Sequence, residues 1–292
     1  AGRSRRRKLM SISIREALAE GAGLQRVSDS WKLDTELLLA HCLGRSREYL
    51  FSWPTRTLST GQLETFRGYL GRRAQGEPVA YLLGTRQFWG IELRVDSRVL
   101  IPRPETELLV ERALELGSQS GVDAMHVADL GTGSGAIAIA LAKANPAWQV
   151  TAVELSDVAL AVAASNAALL NVHNIEFKLG SWCDELAEGE FDIILANPPY
   201  VAEGDQHLTQ GDLPFEPSMA LIADRQGLGA LEKIIDQCRR CLKKDAWLLL
   251  EHGFDQQAWL QTHLLEKGFK NICGYKDYAG IDRMICASWA GP

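Results

Sequence analysis

From Glu105 onward the sequence alternates short apolar runs with helical patterns, and no other feature restricts the fold as strongly. The apolar runs fall at 126–130, 148–153, 174–179, 191–196 and 246–250. Helical patterns lie between and around them, at about 105–117, 135–145, 157–170 and 228–243. Short runs separated by helices feed a sheet buried on both faces, so the pattern predicts an α/β fold with a doubly wound, mostly parallel sheet. Two further strands, near 269–275 and 283–289, are joined by too few residues for a helix. A parallel crossover needs a dozen or more residues. These two strands should therefore pair antiparallel at one edge, bringing the sheet to seven strands.

The chain is 292 residues long, enough for a second, smaller domain. Residues 11–84 read as helical. Ser30 stands where it can cap a segment carrying Leu33, Leu37, Leu38 and Leu39, which ends near Gly44. Ser59-Thr60-Gly61-Gln62 fits a capping box; Leu63, Phe66 and Leu70 follow at helical spacing, and Gly76 stops the helix. Residues 85–104 read as a β-hairpin joining the two domains. Its first strand is the aromatic and β-branched stretch Phe88–Val95, Asp96-Ser97 forms the turn, and Val99-Leu100-Ile101 returns. Pro102-Arg103-Pro104 closes the hairpin stiffly, because each proline fixes its own φ and biases its predecessor. The expected organisation is a basic, disordered tail (1–10), a helical domain (11–84), a hairpin linker (85–104) and an α/β domain (105–292).

Charge and cysteine usage exclude several classes. The net charge is -6, yet Arg3, Arg5, Arg6, Arg7 and Lys8 crowd the first eight residues, so the remainder is more acidic still. An acidic body argues against a large nucleic-acid footprint, which requires clustered Lys and Arg. The 6 cysteines are scattered and do not form a disulfide framework. Cys238 and Cys241 are formally C-x-x-C, but no second ligand pair appears, so no metal site is expected. Cys238 continues the helical apolar series Leu228, Leu231, Ile235 and Leu242, and reads as a buried helix residue. No run of ~20 apolar residues is present to span a membrane, and the basic N-terminus is not followed by a signal-peptide core. A cytoplasmic, monomeric protein is the expectation.

Chemistry concentrates at three places. Asp129-Leu130-Gly131-Thr132-Gly133-Ser134-Gly135 lies where the first strand of the sheet turns into a helix, and its glycines let the backbone approach a ligand closely. Glu154 ends the next strand, where a carboxylate can accept two hydrogen bonds from a ribose diol. Gly131, Gly133 and Ala136 also satisfy a dinucleotide motif, which is weak alone. Asn197-Pro198-Pro199-Tyr200 follows the strand Phe191–Ala196 and opens on the same crevice. The prolines remove two backbone donors and hold carbonyls in set directions, while Asn197 adds one acceptor and one NH₂ donor. A planar NH₂ group fits this corner: its hydrogens meet the Asn197 side-chain oxygen and the Pro198 carbonyl, and Tyr200 packs over its face.

Together these motifs resemble the class I S-adenosylmethionine-dependent methyltransferases that modify planar amino or amide nitrogens. Asn-Pro-Pro-Tyr alone is shared with DNA adenine and ribosomal RNA guanine enzymes. Five further stretches narrow the resemblance: residues 78–84, 88–90, 100–107 (Leu-Ile-Pro-Arg-Pro-Glu-Thr-Glu), 211–217 and 251–253 (Glu-His-Gly). They resemble the HemK/PrmC family, which N5-methylates the glutamine of the Gly-Gly-Gln motif in class-one peptide chain release factors. The resemblance spans residues 11 to about 289. A sister family acting on ribosomal protein L3 carries Pro-Arg-Ser-Pro where this chain has Pro102-Arg103-Pro104-Glu105.

The resemblance implies S-adenosylmethionine as cofactor, bound by Gly131, Thr132, Gly133, Ser134, Gly135, Glu154, Trp182 and Asn197. It implies that Asn197, Pro198, Pro199 and Tyr200 bind the substrate glutamine, with Asn197, Pro198 and Tyr200 catalytic. It also implies that the helical domain docks the release factor. Two positions depart from the family: Ser181, where relatives often carry an acid before Trp182, and Pro214, where some carry Arg. His252 reads as structural. A nucleic-acid amino-methyltransferase, a nicotinamide dehydrogenase and a non-enzymatic binding module share parts of this pattern. The dehydrogenase and the binding module have no use for Asn197–Tyr200.

Overall fold

The computed structural model describes residues 12–291. The basic tail expected at 1–10 therefore lies outside the described residues. The chain divides into two compact units: residues up to Gly84 together with Thr209–Phe215, and Thr85–Leu208 together with Glu216–Pro292.

The first unit is helical: α1 (Ile14–Glu20), α2 (Trp31–Leu43), α3 (Arg47–Ser52), α4 (Thr60–Arg73) and α5 (Val79–Leu83). Ile14, Leu38, Leu39, Leu50, Phe66 and Leu82 form its apolar centre. The capping box at Ser59 and Gln62 is present, and so is a second one at Ser13 and Glu16. Ser30 starts α2 without bonding the helix backbone. Its hydroxyl donates to Asp34 Oδ1 instead, because Asp34 is drawn into a buried ion pair with Arg73 at 2.8 Å. The Arg73 guanidinium also donates to the Gly76 and Glu77 carbonyls and to Asp212, tying residues 209–215 into this unit.

The second unit opens with a hairpin of β1 (Thr85–Phe88) and β2 (Ile91–Arg94). Its turn is Trp89-Gly90, earlier than the expected Asp96-Ser97. Both turn residues have positive φ, 50° and 68°, as a tight hairpin turn requires to match the strand twist. A tryptophan in that conformation is uncommon, so the turn carries no conventional sequence signal. Asp96 serves a later bend, where its carboxylate accepts from the Arg98 N–H.

The central sheet comprises β3 (His126–Leu130), β4 (Gln149–Glu154), β5 (Ile175–Leu179), β6 (Phe191–Ala196), β9 (Leu242–Glu251), β10 (Phe269–Lys276) and β11 (Asp282–Trp289). Its order is β10-β11-β9-β6-β3-β4-β5. The five strands from β9 to β5 are parallel, and β11 runs antiparallel to both β9 and β10. The expected fold class, a doubly wound, mostly parallel seven-stranded sheet with an N-terminal helical region, is the one observed. A separate two-stranded pairing joins β7 (Val201–Ala202) and β8 (Ile222–Ala223).

Alternation along the buried strands supplies two cores. Ile193 and Leu195 face α6 (Glu107–Ser120), α7 (Ala136–Ala144) and the end of α8 (Asp157–Leu169). Ile194 and Ala196 face α10 (Gly229–Cys241) and α11 (Gln257–Glu266), with the short turn α9 (Asp224–Gly227) leading into α10. A strand covered on both faces needs apolar residues at successive positions, which is why β6 reads as a continuous run. Cys238 and Cys241 are fully buried on the α10 side. The chain leaves β3 towards β4 and β5 and returns as β6 on the other side of β3. The crevice at the carboxyl ends of β3 and β6 is thus the point where strand order reverses, the usual place for a ligand in such sheets.

Candidate active site

At the end of β3 the chain turns through Gly131, Thr132, Gly133, Ser134 and Gly135 into α7. Gly131, Gly133 and Gly135 all have positive φ, which L-residues adopt only with strain. Asp129 shapes the loop from below: its Oδ2 accepts from the Thr132 hydroxyl at 2.6 Å and from the Ala138 N–H at 3.1 Å. It is fully buried, and its Oδ1 has no partner. Burial pushes the Asp129 carboxyl up to about 7. Gly135 serves packing, because a Cβ there would lie 2.9 Å from Ile139 Cδ1 and 3.2 Å from Ala163 Cβ.

Glu154 closes β4 with both carboxylate oxygens turned to backbone donors, Gly133 N–H at 2.9 Å and Ser156 N–H at 3.0 Å. The first of these bonds holds the glycine loop against the end of β4. Each oxygen keeps a lone pair for a further donor.

Gly131, Gly133, Glu154, Trp182, Asn197 and Pro199 line one cleft. A Cβ at Gly131 would sit 3.4 Å from the Trp182 ring, so the glycine keeps open the space between the loop and the indole. Thr132 and Ser134 are buried and do not line the cleft, and neither do Gly135, Pro198 and Tyr200. Ser181 lines it, and its hydroxyl accepts from Lys233 Nζ at 3.0 Å. Pro214 belongs to the 209–215 segment of the helical unit.

Two further walls of the cleft come from residues to which the sequence assigned no site role: Arg98, Val99 and Leu100 on one side, Pro217, Met219 and Ala220 on another. Glu216 ties these walls together. Its carboxylate pairs with Arg103 and accepts from the Ile101 N–H at 3.3 Å. The sequence held one hint, the Pro-Arg-Pro-Glu and Phe-Glu-Pro stretches within the resemblance, but no spacing rule brings them together.

Beyond β6, the Asn197 Nδ2 donates to Thr106 Oγ1 at 3.0 Å, and the Thr106 hydroxyl donates to Glu251 Oε2 at 2.7 Å. Tyr200 OH donates to the other Glu251 oxygen at 3.3 Å. The β6–β9 register pairs Ala196 with Leu250, which brings Asn197 alongside Glu251. Glu251 is 2% exposed, and burial pushes its carboxyl up to about 7. Burial, with the Glu251 charge beside it, also pushes the Tyr200 hydroxyl well above the ordinary phenol value. His252 is buried with Nδ1 against the Gly253 carbonyl at 2.8 Å, and burial lowers its pKa. No group of metal-ligating side chains occurs among the described residues.

Comparison with known proteins shows the family. Residues 16–84 match the PrmC N-terminal domain and residues 104–213 the methyltransferase small domain. The release factor glutamine methyltransferase of Vibrio cholerae is 45% identical over 283 residues, 96% of this chain and 98% of that protein. Its namesake from Shewanella oneidensis is 43% identical, covering 90% of this chain and 91% of its own. The one from Coxiella burnetii is 42% identical over 94% of this chain and 99% of its own. Among solved structures, the hMettl16 catalytic domain in complex with the MAT2A 3'UTR hairpin 6 superposes with a TM-score of 0.58 at 18% identity. That match covers 73% of this chain and 81% of the other, and shows the shared fold. With identity above two fifths along nearly the whole length of several relatives, the chain belongs to the release factor glutamine methyltransferase family.

Proposed function

We propose that this protein transfers a methyl group from S-adenosylmethionine to the side-chain amide nitrogen, N5, of the Gly-Gly-Gln glutamine in class-one peptide chain release factors. One observation carries the reading. A single cleft is bounded by a glycine loop and a carboxylate at one end and by the Asn197 amide at the other. A protein substrate also suits the acidic body of the chain.

The cleft fits the cofactor. The missing Cβ at Gly131 leaves room beside the Trp182 ring, the lining combines Glu154 and Ser156 with Leu100, Leu155 and Met219, and Glu154 retains acceptor capacity for a ribose diol. Gly131, Gly133, Glu154 and Trp182 would hold it. When bound, the cofactor supplies a methyl group on a positively charged sulfur.

An amide nitrogen is a poor nucleophile because its lone pair is delocalised into the carbonyl. The Asn197 side-chain oxygen and the Pro198 carbonyl accept its two N–H groups, fix its orientation and favour pyramidalisation. Pro199, which lines the cleft, restricts the plane of the amide, while Tyr200 acts from behind through Glu251. The work of these residues is alignment and electrostatic complementarity, and no general base is required before transfer. The proton leaves the product nitrogen afterwards, to water.

The helical unit serves to dock the release factor, and the enzyme works as a cytoplasmic monomer without nucleic acid or membrane. No helix among the described residues is long and apolar enough to cross a membrane. The test is labelled S-adenosylmethionine with a panel of unmethylated release factor, ribosomal protein L3 and RNA, read by mass spectrometry. Label on the Gly-Gly-Gln glutamine is the expected result. Label confined to L3, RNA or another residue overturns the reading.

A further inference from the structure

Asn197 presents a side chain whose two ends are almost the same shape and opposite in chemistry. The oxygen accepts hydrogen bonds and the NH₂ group donates them. A substrate amide offering two N–H donors is bound only when the oxygen faces the cleft. If the Asn197 amide turned over, NH₂ would meet NH₂. Shape does not decide between the two orientations, so a hydrogen-bonding partner must.

That partner is Thr106, and Thr106 is itself directed. A hydroxyl has one proton to give. In this structure it goes to Glu251 Oε2 at 2.7 Å, leaving the Thr106 oxygen to accept from Asn197 Nδ2 at 3.0 Å. An ionised carboxylate only accepts, and the other Glu251 oxygen accepts from Tyr200 at 3.3 Å. The direction of every bond therefore follows from the carboxylate: Glu251 accepts, Thr106 donates to it, Asn197 donates to Thr106, and the Asn197 oxygen is left for the cleft. We propose that Thr106 and Glu251 are positioning residues that set the sense of the Asn197 amide and so adapt the site to a substrate NH₂ group. The proposal rests on the glutamine-amide reading of the cleft.

Three further observations support it. Thr106 and Glu251 are 4% and 2% exposed and do not line the cleft, so they act through Asn197. Thr106 continues the short helical turn Pro104–Thr106 into α6 with helical backbone angles, so its hydroxyl is not engaged in capping and is available to Glu251 and Asn197. The groups acting electrostatically on Glu251 come from three neighbouring segments: Arg283 on β11, which favours the carboxylate, Tyr200 after β6, and Glu105 before α6, which disfavours it. With burial included, the carboxyl sits at about 7. Below that pH a protonated Glu251 can donate to Thr106, the Thr106 proton is released to turn towards Asn197, and the amide loses its fixed sense.

The experiment compares wild type with Thr106→Val, Thr106→Ser and Glu251→Gln. It uses methyl transfer to release factor, cofactor calorimetry and thermal melting. Thr106→Val and Glu251→Gln should lower kcat at least ~10-fold, while KM for the release factor and cofactor affinity stay within about threefold. Thr106→Ser keeps the relaying hydroxyl and should recover most of kcat. Wild-type kcat should rise with pH through about 7, a limb that Glu251→Gln lacks. Independently of any substrate, a nuclear Overhauser contact between the Asn197 NH₂ protons and the Thr106 methyl group should be present in wild type and lost in Glu251→Gln. Undiminished kcat in Thr106→Val, no recovery in Thr106→Ser, or absence of that contact in wild type overturns the relay. A wild-type enzyme that shows the contact but methylates no release factor overturns the substrate reading and leaves the relay standing.

Discussion

The two ends of the cleft are built in different ways. At the glycine loop, the chain folds on itself: Asp129 bonds Thr132 and Ala138 within nine residues, and Glu154 of the next strand secures the loop through the Gly133 N–H. At the Asn197 end, the geometry depends on residues far apart in sequence, with Thr106, Tyr200 and Glu251 converging from three segments. Backbone amides cannot turn over, so the first end needs only the right φ angles. A side-chain amide can, so the second end needs a buried chain of directed hydrogen bonds. Each end contains a fully or nearly fully buried carboxyl, Asp129 or Glu251, and each of these is raised to about 7.

Those two carboxyls produce the largest expected effect. A folded-state value above the ordinary carboxylate range means that the folded protein holds the proton more tightly than the unfolded chain. The associated stability is complete below the ordinary values, 3.8 for Asp129 and 4.5 for Glu251, and is lost as pH rises through about 7. The melting temperature should therefore fall across that window. Asp129→Asn and Glu251→Gln should each flatten part of the fall, and the two slopes measure how much each end contributes. A variant with the wild-type slope would remove that end from the comparison.

Next in size is Gly135→Ala. The left-handed backbone costs roughly 1–2 kcal/mol for an L-residue, and crowding against Ile139 and Ala163 adds about 1–3 kcal/mol. Denaturant unfolding should show a loss of at least about 2 kcal/mol; a smaller loss would mean that the loop end is more pliable than its geometry implies. Asn197→Ala should reduce methyl transfer at least ~100-fold while cofactor binding stays measurable by calorimetry. Near-wild-type turnover in that variant would sink the role given to Asn197. The smallest effect is expected for Glu154→Ala, a loss of about 10-fold in cofactor affinity, the scale of one lost hydrogen-bonding group. Unchanged affinity would show that the ribose is held elsewhere.

The loop end was legible in the sequence because its partners are contiguous: Asp129 through Gly135 is a single word, and Glu154 ends the next strand. The strand directions were legible too, since burial on both faces imposes unbroken apolar runs and a short link forces β10 and β11 antiparallel. The hairpin turn was not, because Trp89 adopts a left-handed conformation that its residue type does not advertise. Ser30 was misleading for a related reason. Its best partner, Asp34, is fixed by Arg73 from another helix, so a local capping rule missed it.

By itself, then, the sequence determined the fold class and put the glycine loop and the Asn197–Tyr200 segment at the carboxyl ends of their strands, because periodicity and short motifs act over neighbours. The tertiary structure alone decided which residues stand behind that corner and which wall the cleft. Thr106 and Glu251 are separated by 145 positions, and the pairing of Arg103 with Glu216 spans 113. Nothing local links such residues. They meet because β6 and β9 lie side by side and α6 begins over their carboxyl ends, and burial there leaves each polar atom with only the partners the fold supplies.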